Sequence, residues 1–265
     1  MGVAVFRLCF ALWFFNKLKV KFMEDKIIGR NPVLEAVKSG RPIDKILVKK
    51  GKLEGSIVQI IKKARDAGFI VQEVEHHKLD AIAEGENHQG IIAYVSPYEY
   101  VKVSDILESA RKKNEPPFVI ICDKITDPHN LGAILRTANC VGAHGIIIPK
   151  RNSAGLNSTA VKAAAGAAEY TPVAKVTNIS SAIDDLKKEG LWIAAADMDG
   201  DEMYKADLTG ALGLVIGSEG EGISRLVKEH CDFTVSIPMN GDINSLNASV
   251  AAGILMYEAL RQRNK

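Results

Sequence analysis

From residue 118 to the C-terminus, short apolar runs and helix-like segments follow one another with little between them. The runs FVIIC, GIIIP, VAKV, LWIAAAD, GLVIGSE and FTVSIP are interspersed with a helical pattern after Asn130 and with STAVKAAAGAAEY, SAIDDLKKEG and ISRLVKEH. Runs without a polar residue, such as 119–122 and 146–148, suit strands covered on both faces. Strands joined through helices build parallel sheets, because a parallel pair needs a crossover that a tight turn cannot supply. The fold class expected for 118–265 is therefore α/β, a mainly parallel sheet with helices on both faces. The last helix, within SLNASVAAGILMYEALRQR, is apolar on most sides for three turns, more than one neighbouring surface covers. Burial on two sides is expected, with a second subunit as a candidate for one of them.

Upstream, residues 23–100 alternate strands and helices on a smaller scale. KILVKK is followed by a helix opened by Ser56, with Ile57, Ile60, Ile61 and Ala64 facing inward and Gly68 as its stop, and then by FIVQEV. This predicts a small α/β domain. Residues 101–117 end in the charged, proline-containing RKKNEPP and read as a hinge between two domains. A chain of 265 residues is long enough for both. The first 22 residues hold an apolar run over 8–15, shorter than the ~20 residues that span a bilayer. Asn16, Lys17, Leu18 and Lys19 follow it in place of a small-residue cleavage site. This segment reads as an N-terminal extension, and no membrane association is expected.

The balance of 34 Lys+Arg against 32 Asp+Glu neither demands nor excludes a polyanionic partner. Residues 41–66 are locally basic, with Lys49, Lys50 and Lys52 close together, which is either a phosphate-contacting surface or a solvated helix face. Cys9, Cys122, Cys140 and Cys231 are widely spaced and form no Cys-x-x-Cys pair, so a reducing, cytoplasmic setting is expected. His76 and His77 are adjacent and cannot share a helical face, so no metal is expected. Asp197, Asp199 and Asp201 have the alternation of a calcium loop, but Gly200 stands in the wrong place and a surface turn fits better.

Three stretches carry polar groups that a buried core would not choose: NLGAILRTAN, IGSEGEGIS and IPMNGDINSLNASVA. Each lies where an apolar run stops and a helical pattern begins, the place where open α/β sheets form ligand crevices. Gly217, Gly220 and Gly222 are spaced G-x-x-G-x-G, the wrong order for a dinucleotide turn, and Glu219 and Glu221 would oppose a pyrophosphate. No P-loop lysine occurs, and the oxidoreductase reading fails on the same spacing. An acidic glycine-rich loop suits a ligand that joins a nucleoside to a cationic centre, such as S-adenosylmethionine. The strand end Ile237, Pro238, Met239 offers an apolar slot for an adenine. With Asn130 as a helix cap, Arg136 would lie nearly two turns on and face the crevice. Together with Ser245 and Asn247 it would supply a cation, amides and a hydroxyl, enough for a phosphodiester and a ribose. Taken singly, these residues would be a cap, a surface charge, a tight loop and packing.

NLGAILRTA, GSEGEGIS and IPMNG with SLNASVA resemble the three signature motifs of the SpoU (TrmH) family of RNA 2′-O-ribose methyltransferases, part of the SPOUT superfamily. IIGRNPVLEAV and ENHQGIIA resemble the L30e-like RNA-binding domain of the RlmB-like guanosine methyltransferases of 23S rRNA. The resemblance implies a deep trefoil knot, a homodimer, an RNA partner and S-adenosylmethionine as cofactor. It implies that Gly217, Ile237 and Leu246 contact the methyl donor, with Glu219, Ser245 and Asn247 nearby, while Asn130 and Arg136 handle the target ribose and its phosphate. A guanidinium is a poor proton acceptor, so Arg136 is expected to stabilise a developing alkoxide and grip a phosphate. Glu219 is expected to orient Arg136 or a neighbouring loop. Methylation of a 23S rRNA guanosine is the expected activity; the alternatives are a tRNA ribose, or RNA binding without catalysis.

Overall fold

The computed structural model describes residues 26–51, 53, 55–242 and 245–264, so the N-terminal extension, Cys9 and Lys52 lie outside the described residues. The smaller unit contains β1 (Lys26–Ile28), α1 (Arg30–Lys38), β2 (Ile43–Lys49), α2 (Ser56–Asp66), β3 (Val71–Val74), α3 (His76–Ala83) and β4 (Ile91–Val95). Its strand order is β1-β4-β2-β3, with β2 and β3 parallel and β4 antiparallel to both of its neighbours. The helical spacing of Ile57, Ile60, Ile61 and Ala64 does bury all four, against Ile46 and Val48 on one face of the sheet. α3 covers the opposite face through Leu79 and Ala83, which meet Leu47 and Ile92.

Residues 101–117 are not an open hinge. Val103–Lys113 form a helix, α4, whose Ile106, Leu107 and Ala110 are buried against the second sheet. The approach is close enough to exclude a side chain at Gly145, where a Cβ would lie 2.6 Å from Ile106 Cδ1. Arg111, Lys112 and Lys113, which gave the segment its linker-like charge, occupy the last turn and complement the negative end of the helix dipole.

The second unit holds β5 (Phe118–Cys122), α5 (Pro128–Cys140), β6 (Gly145–Pro149), α6 (Ser158–Ala163), β7 (Val173–Val176), α7 (Ile179–Lys188), β8 (Trp192–Glu202), β9 (Leu212–Ile216), α8 (Arg225–His230), β10 (Phe233–Ser236) and α9 (Ala248–Arg263). Its six strands run in the order β10-β8-β9-β5-β6-β7, and every pairing is parallel. Alternate residues of β5 serve opposite faces. Phe118, Ile120 and Cys122 join α5, α6 and α9, while Val119 and Ile121 join α4, α7 and α8. The expected helix STAVKAAAGAAEY is shorter than the pattern suggested, because Ala165 and Gly166 take left-handed φ of 49° and 92° and a 3₁₀ turn follows.

α5 and α6 approach at Gly132, where a Cβ would lie 2.5 Å from Ala163 Cβ and would also meet the Ala160 carbonyl. Gly132→Ala is expected to cost about 1–3 kcal/mol by forcing the helices apart. The measurement is urea unfolding, with a lowered midpoint at unchanged slope.

Candidate active site

Three loops meet at the carboxyl ends of β8, β9 and β10 and enclose a cavity of about 330 Å³, the lower end of the range for small-molecule sites. Each wall has a local cause. β8 pairs with β10 at Ala195↔Thr234 and next at Asp201↔Val235, so residues 196–199 leave the ladder and line the cavity. Gly200 permits that return, since a Cβ there would lie 2.5 Å from the Thr234 carbonyl carbon. After β9, Ser218 and Gly222 exchange backbone hydrogen bonds of 3.1 and 2.9 Å, closing GSEGEG into a tight loop. Gly217 lies against this loop, where a Cβ would sit 2.5 Å from the Gly222 carbonyl oxygen. Ile237, Met239, Ser245 and Leu246 form the third wall, with Ala248, Ala251 and Leu255 of α9 below them.

Buried Asp123, just past β5, accepts the Ser224 N–H at 2.7 Å and ties down the far end of the glycine-rich loop. Lys124 adds an exposed ion pair to Glu221 at 2.5 Å, and this hydrogen-bonded ammonium holds the Glu221 carboxyl below the usual carboxylate range. The cavity lining contains Asp197, Asp199, Glu219 and Glu221 and, among the described residues, no lysine or arginine. Three of the four carboxylates have cationic partners outside the lining, Lys228 for Asp197 at 2.9 Å and for Asp199 at 3.9 Å, and Lys124 for Glu221; Glu219 has none among the described residues. Such a lining favours a cationic ligand and disfavours a pyrophosphate.

The three motifs are joined by one hydrogen-bond network. Asn247 caps α9, its Oδ1 accepting the Ser249 and Val250 N–H groups. Its Nδ2 donates to Asn130 Oδ1 at 2.9 Å and to Glu219 Oε1. Asn130, buried on α5, donates from Nδ2 to the same Glu219 oxygen at 2.9 Å, and the Ala248 N–H reaches it at 3.3 Å. Glu219 Oε1 is thus held by two side-chain amides and a helix N-terminus, while Oε2 accepts no hydrogen bond among the described residues.

Two expectations need correction. Asn130 is not the cap of α5; Asp127 is, accepting the His129 N–H at 2.8 Å ahead of Pro128. This frees the Asn130 side chain for the network. Of the two roles expected for Glu219, contact with Arg136 is not seen, while its bonds to Asn130, Asn247 and Ala248 fit the other, the fixing of a neighbouring segment. Six residues of helix turn the chain by about 240° beyond one full revolution, so Arg136 cannot share the direction of Asn130. Arg136 is exposed, has no ion pair among the described residues, and lies outside the cavity lining. Of the residues expected at the donor, Gly217, Ile237, Met239 and Leu246 line the cavity together with Ser245 and Glu219, and Pro238 does not. Residues 196–199 and the α9 floor were missed by sequence reasoning. The acid-rich DMDGD was the available signal, passed over as a surface turn.

Elsewhere, His76, Asp80 and His88 bring ligand-type atoms within 4.8 Å of one another, a convergence hidden in the sequence. His88 Nδ1 accepts the Gly90 N–H at 2.9 Å, which places the ring proton on Nε2, 2.9 Å from Asp80 Oδ1. That nitrogen donates to the carboxylate instead of presenting a lone pair to a cation. The bonds from His88 and then His76 hold the Asp80 carboxyl below its ordinary range. No helix of the described residues is long and apolar enough to cross a membrane. Cys122, Cys140 and Cys231 are free thiols.

The description of the SpoU rRNA Methylase family matches residues 117–257, and that of the RNA 2′-O ribose methyltransferase substrate-binding domain matches residues 26–101. A Bacillus subtilis (strain 168) protein assigned to the TrmH family of tRNA/rRNA methyltransferases, YacO, is 47% identical over 241 residues, covering 91% of this chain and 96% of the relative. Among solved structures, the SpoU methyltransferase AviRb of Streptomyces viridochromogenes in complex with AdoMet aligns with a TM-score of 0.57 and 26% identity over 89% of each chain. An AdoMet-bound rRNA methyltransferase of Sinorhizobium meliloti aligns with a TM-score of 0.56 and 25% identity, over 89% of this chain and 86% of that one. The parallel sheet, the three motifs joined by one hydrogen-bond network beside the cavity and these matches agree: the chain belongs to the SpoU (TrmH) family of RNA methyltransferases.

Proposed function

We propose that this protein transfers a methyl group from S-adenosylmethionine to the 2′-hydroxyl of a ribose in structured RNA, a guanosine of 23S rRNA. The observation that carries the reading is the network of Asn130, Glu219 and Asn247 at the rim of an acidic, apolar-floored cavity. The cavity fits the donor, with Ile237, Leu246 and Leu255 offering an adenine a nonpolar slot and the close-folded Gly217 loop offering backbone groups. Met239 borders that slot. Bound there, S-adenosylmethionine supplies a methyl group made electrophilic by its sulfonium. The carboxylates favour the positive donor, Ser245 and the open Glu219 oxygen present polar groups toward the acceptor ribose, and Asn130 fixes Glu219.

Arg136 acts on the acceptor side. Its guanidinium grips the phosphate beside the target nucleotide and stabilises the alkoxide as the proton leaves to phosphate or water. A homodimer gives it a place to act. Val250 and Tyr257, 48% and 53% exposed, lie three residues before and four after Gly253, where α9 meets Thr137 of α5. A second copy covering this apolar face would put Arg136, the neighbour of Thr137, at the interface. We also infer the trefoil knot that the family resemblance implies; the return of α9 to pack on α5, although β10 lies at the sheet edge beyond β8, supports it. The small domain supplies the first grip on RNA, with Arg30 and Lys49 bordering a polar cavity of its own. A tRNA ribose is the second reading, since the B. subtilis relative is described for both RNAs.

Titration with S-adenosylmethionine and with NADH tests the class of enzyme. Saturable binding of the first and none of the second is expected, and the reverse would refute the reading. Glu219→Gln retains an acceptor but loses the charge-assisted bonds, about twice as strong as neutral ones. It is expected to lower kcat/KM for methyl transfer by about 10-fold, with smaller change in overall stability; unchanged donor binding and rate would remove Glu219 from the site.

A further inference from the structure

A second cavity of about 750 Å³ lies between the two units, and its electrostatics are opposite to those of the donor cavity. From the small unit come Asp44 and Lys45 at the start of β2, Gln72 of β3 and Tyr94 of β4; from the larger come Thr126, Pro128 and the Lys150–Arg151–Asn152 turn after β6. The lining holds four cations, Lys45, Lys150, Arg151 and Lys175, against one carboxylate, Asp44. Asp44 is spent on Lys175, at 2.5 Å, with both side chains about one-eighth exposed. Lys150 and Arg151 are exposed, and their side chains have no ion pair or hydrogen bond among the described residues. Lys45 lies 5.0 Å from the centre of the Tyr94 ring and has no carboxylate partner among them.

The walls are held in place. Tyr100 donates its hydroxyl hydrogen to Asp44 Oδ1 at 2.7 Å and accepts the Leu156 N–H at 2.9 Å, so the loop carrying Lys150 and Arg151 is pinned to the small domain. Burial, then the adjacent Asp44 charge, raises the Tyr100 phenol far above its ordinary range, so it remains a donor. Gly155 allows the contact, since a Cβ there would lie 2.5 Å from Asp44 Oδ2. The cavity opens at the carboxyl ends of β5 and β6, the same sheet edge that carries the donor cavity at β8, β9 and β10. Pro128 in its wall is two residues before Asn130 of the active-site network.

We infer that this cleft is the track of the RNA strand between the small domain and the active site, with Lys45, Lys150 and Arg151 contacting successive phosphates. The inference rests on the reading that this protein acts on RNA. One edge of the sheet then carries an acidic pocket for a cationic donor and a basic cleft for a polyanionic acceptor. Fixed cations with no internal partner suit phosphate binding, because no ion pair has to be broken first.

The test is the salt dependence of binding to an in-vitro-transcribed, unmethylated 23S rRNA, comparing the full chain with its Lys45→Gln, Lys150→Gln, Arg151→Gln triple variant. Each lost phosphate contact flattens the log–log slope by about 0.7–0.9, so the triple variant should be shallower by about 2–3. Its affinity for S-adenosylmethionine should be unchanged, since none of the three residues lines the donor cavity. A charge-keeping variant, Lys45→Arg, Lys150→Arg, Arg151→Lys, should keep the wild-type slope. An unaltered slope in the glutamine variant overturns the inference, as does an equal loss in the charge-keeping one; with wild-type methyl transfer intact, either result leaves the proposed activity standing. A wild-type protein that binds S-adenosylmethionine but no RNA removes the reading and this inference together.

Discussion

Arg136→Ala is expected to lower the turnover of RNA methyl transfer by at least ~10²-fold while leaving the affinity for S-adenosylmethionine at its wild-type value. The two halves of this expectation have separate causes. A ribose hydroxyl is a weak nucleophile until its proton departs, and a fixed cation beside the forming alkoxide stabilises the transition state more than the ground state. The donor cavity, by contrast, is built from residues 196–199, 217–222 and the chain from Ile237 into α9, with Arg136 outside it. Arg136→Lys should recover only part of the rate, because an ammonium keeps the charge but loses the planar fork that meets a phosphate in two places. Single-turnover kinetics on an unmethylated transcript measure the effect. A near-normal rate in the alanine variant would take Arg136 out of the chemistry; a matching loss of donor affinity would place it at the wrong ligand.

Gly217→Ala should weaken S-adenosylmethionine binding by about 10–100-fold. The added methyl group would sit 2.5 Å from the Gly222 carbonyl oxygen and would press on its backbone, so the Ser218–Gly222 loop must move. Backbone cannot swing aside as a flexible side chain does. Forcing a group into a filled space costs about 1–3 kcal/mol, and every 1.4 kcal/mol is tenfold in affinity. Gly220→Ala, in the same loop with open space around the position, is the control and should bind the donor nearly as the wild type does. Equal effects of the two substitutions in calorimetric titration would show that the close approach at Gly217 is unimportant.

The features legible in the sequence were those set by neighbours along the chain. Residues 119–122 and 146–148 announced strands covered on both faces because no polar atom interrupts them, and both lie fully buried. The α2 spacing announced its buried face for the same local reason. α4 was obscured because three basic residues in its last turn looked like a solvated linker, although Ile106, Leu107 and Ala110 already had helical spacing. The α5 start was readable as well, since Asp before Pro is a helix-opening pair, yet Asn130 drew attention by its place in the motif. The step in β8 that carries residues 196–199 to the cavity could not be read locally. It depends on pairing with β10, more than thirty residues later. Spacing alone could not bring Asn130, Glu219 and Asn247 together across 117 residues of chain; the place of their motifs at strand-to-helix junctions pointed to one crevice, and the resemblance to a known family pointed to the same site.

The most direct test of the central claim is to incubate the protein and S-adenosylmethionine with unmethylated 23S rRNA and, separately, tRNA transcripts, and to map every ribose 2′-O-methyl group formed. The account predicts a new 2′-O-methyl at one guanosine of the 23S rRNA, lost in the Arg136→Ala protein. A methyl group found on a base, or none on either RNA while the donor binds, would contradict it.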